Sequence, residues 1–115
     1  MTTVTPAGAP LPRPVGFLWD GGDTISMYSQ PGARIRNIAH NPKVALNLDG
    51  DGRGGNIVVL SGIAEVDEAG PSAADNSAWN AKYAAEWERA GMTPQWFAQR
   101  FSVCVRVHIV AVHGV

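Results

Sequence analysis

Apolar positions along the chain fall into short runs of two periods. Val44, Leu46 and Leu48 alternate with Ala45 and Asn47, the period-2 pattern of a half-buried strand. Residues 24–29 repeat it, with Ile25, Met27 and Ser29 on one face. So do residues 102–112, where Val103, Val105, Val107 and Ile109 point one way and Cys104, Arg106 and His108 the other. Residues 57–66 open with an apolar run on both faces, the pattern of a strand covered by protein on both sides. Residues 2–5 are β-branched and short. Residues 11–19 begin among Pro10, Pro12 and Pro14, so the first half of that strand reads as an edge or as irregular. Asp20-Gly21-Gly22-Asp23 is the hairpin turn into the next strand.

Three segments carry the helical period instead. Ile35, Ile38 and Ala39 are spaced i, i+3, i+4 in residues 34–41, and Pro42 stops the helix. Trp79, Tyr83, Trp87 and Ala90 lie on one face of a longer helix. Asp75 or Ser77 is placed to cap its start, and Gly91 its end. Thr93-Pro94 opens a third helix, with Trp96, Phe97 and Phe101 as its apolar side. The predicted order is β-β-β-α-β-β-α-α-β in one domain over residues 1–115. Six short strands with few helices point to a small closed sheet, since closure removes exposed edges.

Composition narrows the classes of function. In 115 residues there are 13 Gly and 8 Pro, spread between the apolar runs as turn punctuation. A formal charge of −1 lacks the basic excess of a protein that binds nucleic acid through phosphates. No apolar run approaches the length of a membrane span, and the first ten residues lack the pattern of a signal peptide, so the expectation is a cytoplasmic protein. The single cysteine, Cys104, excludes an internal disulfide and reads as a small buried hydrophobe.

The chemical motifs mostly fail on their surroundings. Gly50-Asp51-Gly52-Arg53-Gly54-Gly55 fits G-x-G-x-x-G, but a strand follows it where a dinucleotide site needs a helix. As a calcium loop it carries Arg53 at the third ligand position and Leu60 at the twelfth. His40, His108 and His113 lack metal-ligand spacing, and no Gly-x-Ser-x-Gly elbow is present. Tyr28-Ser29-Gln30-Pro31-Gly32-Ala33-Arg34-Ile35-Arg36-Asn37 is different. It runs from strand through tight turn to helix start, placing backbone amides, a hydroxyl and a guanidinium together as an anion site would require. The competing reading of this stretch is a solvated helix start.

That segment resembles the split β-barrel proteins related to pyridoxamine 5′-phosphate oxidase, in particular the actinobacterial branch that uses deazaflavin (F420). The resemblance begins with Thr3-Val4-Thr5-Pro6-Ala7-Gly8-Ala9-Pro10 and Pro12-Arg13-Pro14-Val15-Gly16-Phe17-Leu18-Trp19-Asp20-Gly21. It continues through Tyr28-Ser29-Gln30-Pro31-Gly32, Arg34-Ile35-Arg36-Asn37-Ile38 and Asn41-Pro42-Lys43-Val44-Ala45-Leu46. Residues 49–55, Ile57-Val58-Val59-Leu60 and Gly62-x-Ala64-Glu65 complete the set.

The resemblance implies a mainly β, six-stranded split barrel with short helices, forming a homodimer with cofactor at the subunit interface. It implies that Tyr28, Ser29 and Arg34 hold the cofactor phosphate, with Arg36 and Asn37 nearby. Pro12, Arg13, Pro14 and Val15 would run along the cofactor ring, and the loop carrying Arg53 would approach the same pocket. The chain also starts almost inside the first strand, so a domain shortened at its N-terminus is expected. The activity implied is hydride transfer from reduced F420 to a small unsaturated or carbonyl-bearing molecule. FMN in the same site is the alternative, and a non-catalytic cofactor- or tetrapyrrole-binding barrel is another. Arg13, Arg36, Lys43 and Arg53 are the cations that could line a groove for the long anionic tail of F420. No catalytic side chain is assigned; Tyr28 and His40 are the polar groups weighed as proton donors.

Overall fold

The stretch read as one strand over residues 11–19 is two strands, and that division shapes the whole molecule. The structure is a computed structural model and describes residues 1–114. Its strands are β1 (Thr2–Val4), β2 (Pro10–Pro12), β3 (Leu18–Trp19), β4 (Thr24–Ser29), β5 (Lys43–Leu48), β6 (Val58–Val66) and β7 (Val103–Gly114). The helices are α1 (Ala33–His40), α2 (Ser77–Ala90) and α3 (Pro94–Arg100). All strands join one antiparallel sheet in the order β2-β1-β5-β6-β7-β4-β3.

β2 and β3 are therefore the two edges of the sheet, yet they are consecutive in the chain. The residues between them, 13–17, span at most about 18 Å when extended. The sheet must curl to bring its edges that close. It forms a split barrel of seven strands rather than six, and it is not closed. Proline is the reason the edges do not zip together. Pro10, Pro12 and Pro14 have no N–H to donate to a ladder, which confines them to an edge or outside the sheet.

The polar groups of the joining segment find side-chain partners instead. Phe17 donates its N–H to Tyr83 Oη at 2.7 Å, and Tyr83 Oη donates to the Phe17 carbonyl at 3.0 Å. Lys82 Nζ donates to the same carbonyl and stands over the Phe17 ring, 3.6 Å from its centroid. Gly16 allows this close approach. A methyl group there would stand 3.1 Å from Tyr83 Oη and 3.5 Å from the Trp79 ring.

Two hydrophobic clusters follow from the strand alternation. The barrel interior holds Ile25, Met27, Val44, Leu46, Leu60, Val105 and Val107, with Ile38 of α1 packed among them. The opposite face of β4 and β7 supplies Tyr28 and Cys104 to a second cluster, with Trp79 and Trp87 of α2. The two faces expected for residues 102–112 thus enter different cores. The outward face of β6 is covered only in part within the single chain: Val59 and Ser61 are half-buried, and Ile63 is exposed.

Helix ends mostly obey their local chemistry. Thr93 caps α3 and Gly91 ends α2 in the left-handed region at φ 71°. The cap of α2 is Asn76, lying between the two expected residues, whose side chain accepts from Trp79 N–H at 3.1 Å. Trp96 does not join the apolar side of α3. It is exposed, with the Arg100 guanidinium 4.7 Å from its ring.

β4, β6 and β7 are tied by one polar group. Arg106 of β7 donates to Asp67 at 2.5 Å and to Ser26 Oγ of β4 at 3.0 Å. The Arg106 hydrogen bond holds the Asp67 carboxyl below its ordinary range.

Two predictions come from these contacts. Tyr83→Phe leaves the Phe17 N–H without its partner, and should cost about 1–3 kcal/mol in a urea melt. Asp67, with its pKa depressed by folding, stabilises above the unfolded carboxylate pKa and ceases to do so as pH falls through the folded one. The stability gap between wild type and Asp67→Asn should therefore be open at neutral pH. It should close as pH drops through and below the ordinary carboxylate range, as read by thermal melts across a pH series.

Candidate functional site

The candidate site is assembled where β4 ends, α1 begins and the barrel stays split. Pro31 ends the strand, and Gly32 makes the turn at φ 154°, ψ −152°, a backbone region that only glycine tolerates well. Arg36 N–H is the first amide of α1 to bond back, to Gly32 O at 3.1 Å. The amides of Ala33, Arg34 and Ile35 thus have no intrahelical partner, no side chain caps them, and no acidic residue sits in the first turn. α2 and α3, in contrast, each have a side-chain cap.

Arg34 leans from this helix start across to the split. Its Nη2 donates to Pro14 O at 3.3 Å, and its Nη1 lies 3.5 Å from Ser29 Oγ. Arg13 donates to the Pro12 carbonyl at 2.7 Å. Neither guanidinium has a carboxylate partner. The ion pairs among the described residues are Arg89–Glu86 and Arg106–Asp67, and Glu65 lies 3.0 Å from His108. Partial burial, and then the charge of Arg13, push Arg34 below the ordinary arginine range. Two like charges are thus held close with nothing to neutralise them, an arrangement that an anion relieves.

Three cavities meet at this point. One of about 440 Å³ is lined by Arg13, Pro14, Ser29, Gly32, Arg34 and Phe101. A second, also about 440 Å³, lies between residues 12–15 and residues 46–49 of β5 and its loop. The third, about 320 Å³, has walls of aromatic rings from α2 and α3 and shares Pro14 and Arg34 with the first. Pro14 lines all three, so the proline segment is their common wall.

The structure therefore brings together Pro12, Arg13, Pro14, Val15, Ser29 and Arg34 of the residues singled out in the sequence. It puts the others elsewhere. The Tyr28 hydroxyl is already engaged, donating to Pro71 O and accepting from Asn76 Nδ2, each at 3.0 Å. Burial pushes its pKa up. Tyr28 reaches the third cavity as a ring wall rather than as a phosphate ligand or a proton donor. Asn37 is buried, and its Nδ2 donates to the equally buried Thr3 Oγ1 at 3.1 Å, pinning α1 to β1. Arg36 is exposed on α1 and lines none of the three cavities.

Arg53 is exposed in its loop, its N–H bonded to Asp51 Oδ1 at 2.8 Å; of that loop only Asp49 borders the three cavities, while Gly52 and Gly54 border a separate one of about 300 Å³. Lys43 lies at a different cavity, beside Ile63 and Val110. The four cations considered for a groove thus do not form one in the single chain. His40 is exposed at the end of α1. Among the described residues, no group of three His, Cys, Asp or Glu side chains is placed to hold a metal. No helix among them is long and apolar enough to cross a membrane. Burial pushes the Cys104 thiol up, away from the thiolate a nucleophile would need.

Phe97, Phe101 and Tyr83 are the lining residues that the sequence reading missed. Their helical spacing marks them as apolar-face residues, and nothing in that spacing distinguishes a packed ring from one bordering open space.

The family described as pyridoxamine 5′-phosphate oxidase matches residues 1–114. Solved structures with the same fold include an F420 reductase at 22% identity and TM-score 0.69, over 97% of this chain and 85% of that one. An FAD-binding protein from Mesorhizobium loti is 22% identical at TM-score 0.61, over 98% of this chain and 81% of that one. HutZ, the heme storage protein from Vibrio cholerae, is 18% identical at TM-score 0.63, over 98% and 82%. No curated protein sequence matches. At these identities the structural likeness establishes the fold alone.

Proposed function

The chain belongs to the pyridoxamine 5′-phosphate oxidase family, and from that premise we propose that it is an oxidoreductase using reduced deazaflavin F420. Its substrate would be a small unsaturated or carbonyl-bearing molecule. The observation that carries this reading is the unpaired Arg34 guanidinium beside Ser29 and the uncapped amides of α1, facing a cavity of about 440 Å³. The backbone amides at the helix start and the fixed cation fit a phosphate, while the buried Ser29 hydroxyl already donates to Gln30 O at 2.8 Å. Arg13 adds a second positive charge at the same cavity.

When bound, the cofactor supplies the carbon that gives up the hydride. The residues of this chain bind, orient and exclude water. Arg34 and the amides of residues 33–35 would fix the phosphate end, with the Ser29 hydroxyl as an acceptor behind Arg34. Pro12 to Val15 would border the ring, and the proline-rich backbone, tethered at Phe17 by Tyr83, gives it a stiff wall. Holding donor and acceptor in one orientation contributes several kcal/mol to such a step without any acid–base dyad. The proton that accompanies the hydride would come from water, since the Tyr28 hydroxyl is engaged elsewhere.

FMN is the second reading, and one observation favours it. Arg13 stands with Arg34, but Arg36, Lys43 and Arg53 stand apart. The single chain thus offers a site for one phosphate rather than a row of cations for a long anionic tail.

A homodimer with the cofactor at the subunit interface is part of the proposal. Its support is the outward sheet face, where Val110 is 69% exposed and Ile63 37%, the two bordering one cavity. Such large apolar side chains gathered on one region of a surface mark an interaction site.

Two measurements test these readings. Fluorescence titrations with F420 and, separately, FMN should give saturable binding, tighter for F420; tighter FMN binding would move the chain to the flavin reading. Arg34→Ala should weaken binding by about 1.5–3 kcal/mol, the worth of a charge-assisted hydrogen bond, while Arg53→Ala should change it little. Unchanged affinity in Arg34→Ala overturns the phosphate assignment. Uptake of heme, with no binding of either flavin, would replace the oxidoreductase reading with a storage one. Sedimentation should show a dimer, and Val110→Asp should convert it to a folded monomer; a wild-type monomer refutes the interface.

A further inference from the structure

The ring-walled cleft under α2 and α3 is not needed to hold a cofactor phosphate, and its chemistry is specific. Tyr28, Trp79, Tyr83, Trp87, Phe97 and Phe101 contribute to it. Their rings form a continuous chain of contacts. Trp79 lies 4.8 Å from both Tyr28 and Tyr83, Trp87 5.1 Å from Phe97, and Phe97 4.4 Å from Phe101. Tyr28, Trp79 and Trp87 are buried in the second core, while Tyr83, Phe97 and Phe101 are only half-buried. Here a cleft of about 320 Å³ stays open beside the rings, the size of the smaller small-molecule pockets.

The two tyrosine hydroxyls of this wall are already committed, whereas the buried Trp79 Nε1–H has no partner among the described residues. The Tyr28 hydroxyl is bonded to Pro71 and Asn76, and the Tyr83 hydroxyl to both polar groups of Phe17. What remains for a ligand is the Trp79 indole N–H, the ring surface of the half-buried Tyr83, Phe97 and Phe101, and, at the border with the phosphate cavity, the guanidinium of Arg34. Ring surface selects flat aromatic molecules through stacked and edge contacts. One unpaired cation selects a single carboxylate or carbonyl oxygen.

We propose that this cleft is a second ligand site, which binds a planar aromatic molecule bearing one carboxylate or carbonyl oxygen directed at Arg34. In the oxidoreductase reading a ligand of the carbonyl kind is the hydride acceptor: the hydride adds to a carbon conjugated with the carbonyl, whose π electrons move to oxygen and take a proton from water. That role alone rests on that reading; the binding, which a carboxylate shares, does not. The α2–α3 pair is then the element that sets substrate class, held on the barrel by the Tyr83–Phe17 contact.

The probe is 2-naphthoate, titrated into the full-length protein without cofactor. Two-dimensional ¹H–¹⁵N spectra read the four tryptophan indole signals. Those of Trp79 and Trp87 should shift with a common saturation curve, and those of the exposed Trp19 and Trp96 should stay in place. Phe97→Leu, which removes one ring of the wall at a residue that does not itself line the phosphate cavity, should weaken naphthoate at least tenfold and leave FMN affinity unchanged. Gly16→Ala, whose methyl group would press on the Tyr83 ring, should weaken naphthoate as well. 2-Methylnaphthalene, lacking the carboxylate, should bind more weakly than naphthoate. Absence of saturable shifts in the wild type overturns the proposal, as does movement of Trp19 or Trp96 in place of Trp79 and Trp87. Naphthoate binding that FMN displaces and Phe97→Leu leaves intact also overturns it, by assigning the probe to the phosphate cavity. If naphthoate binds as expected and neither flavin binds, the cleft stands and the cofactor reading falls.

Discussion

The hydrogen bonds between Tyr83 and the Phe17 peptide are the contact on which the site depends. A strand running from residue 10 to residue 19 would have closed the barrel. Three prolines deny it the donors to do so, and Tyr83 then takes both polar groups of Phe17 out of reach of any ladder. The edges β2 and β3 stay apart, and the short segment between them becomes a wall shared by three cavities. The same contact docks α2 on the barrel. One side chain thus keeps the split open and fixes the helices that border it.

Charge is distributed to match. Arg106 is spent on Asp67 and Ser26, where it ties β7 to β4 and to the end of β6. Arg13 and Arg34 are left without acids at the mouth of the split. Holding the partly buried Arg34 guanidinium beside the charge of the exposed Arg13 is unfavourable in the absence of an anion, so ligand binding and local stability are coupled there. The uncapped start of α1 adds to the same field.

Proteins of this fold whose names point to F420, FAD and heme share the curled sheet at low identity. The barrel supplies a split and a helix start, and neither chooses the ligand by itself. The choice falls to what borders the split. In this chain that is a proline-rich segment on one side and an aromatic helix pair on the other.

Much of the architecture was legible from residue order. Period-2 alternation marks residues 24–29, 44–48 and 103–109, and it also assigns Val105 and Val107 to one core and Cys104 to another. Thr93, Pro94, Gly91 and Pro42 mark helix ends through local backbone chemistry. The mainly β split-barrel class follows from that order together with the family resemblance. What lay beyond the sequence is whatever depends on a partner far along the chain. Asn37 meets Thr3 in the interior, Tyr28 gives its hydroxyl to Pro71 and Asn76, and Tyr83 reaches back to Phe17. Each of these residues carries chemistry suited to a ligand, and each is claimed by the fold. Periodicity and capping are set by neighbours within a turn or a strand pair, so a sequence expresses them directly. Whether a polar side chain is free for a ligand is decided by every segment that packs against it, and only the folded chain brings those segments together.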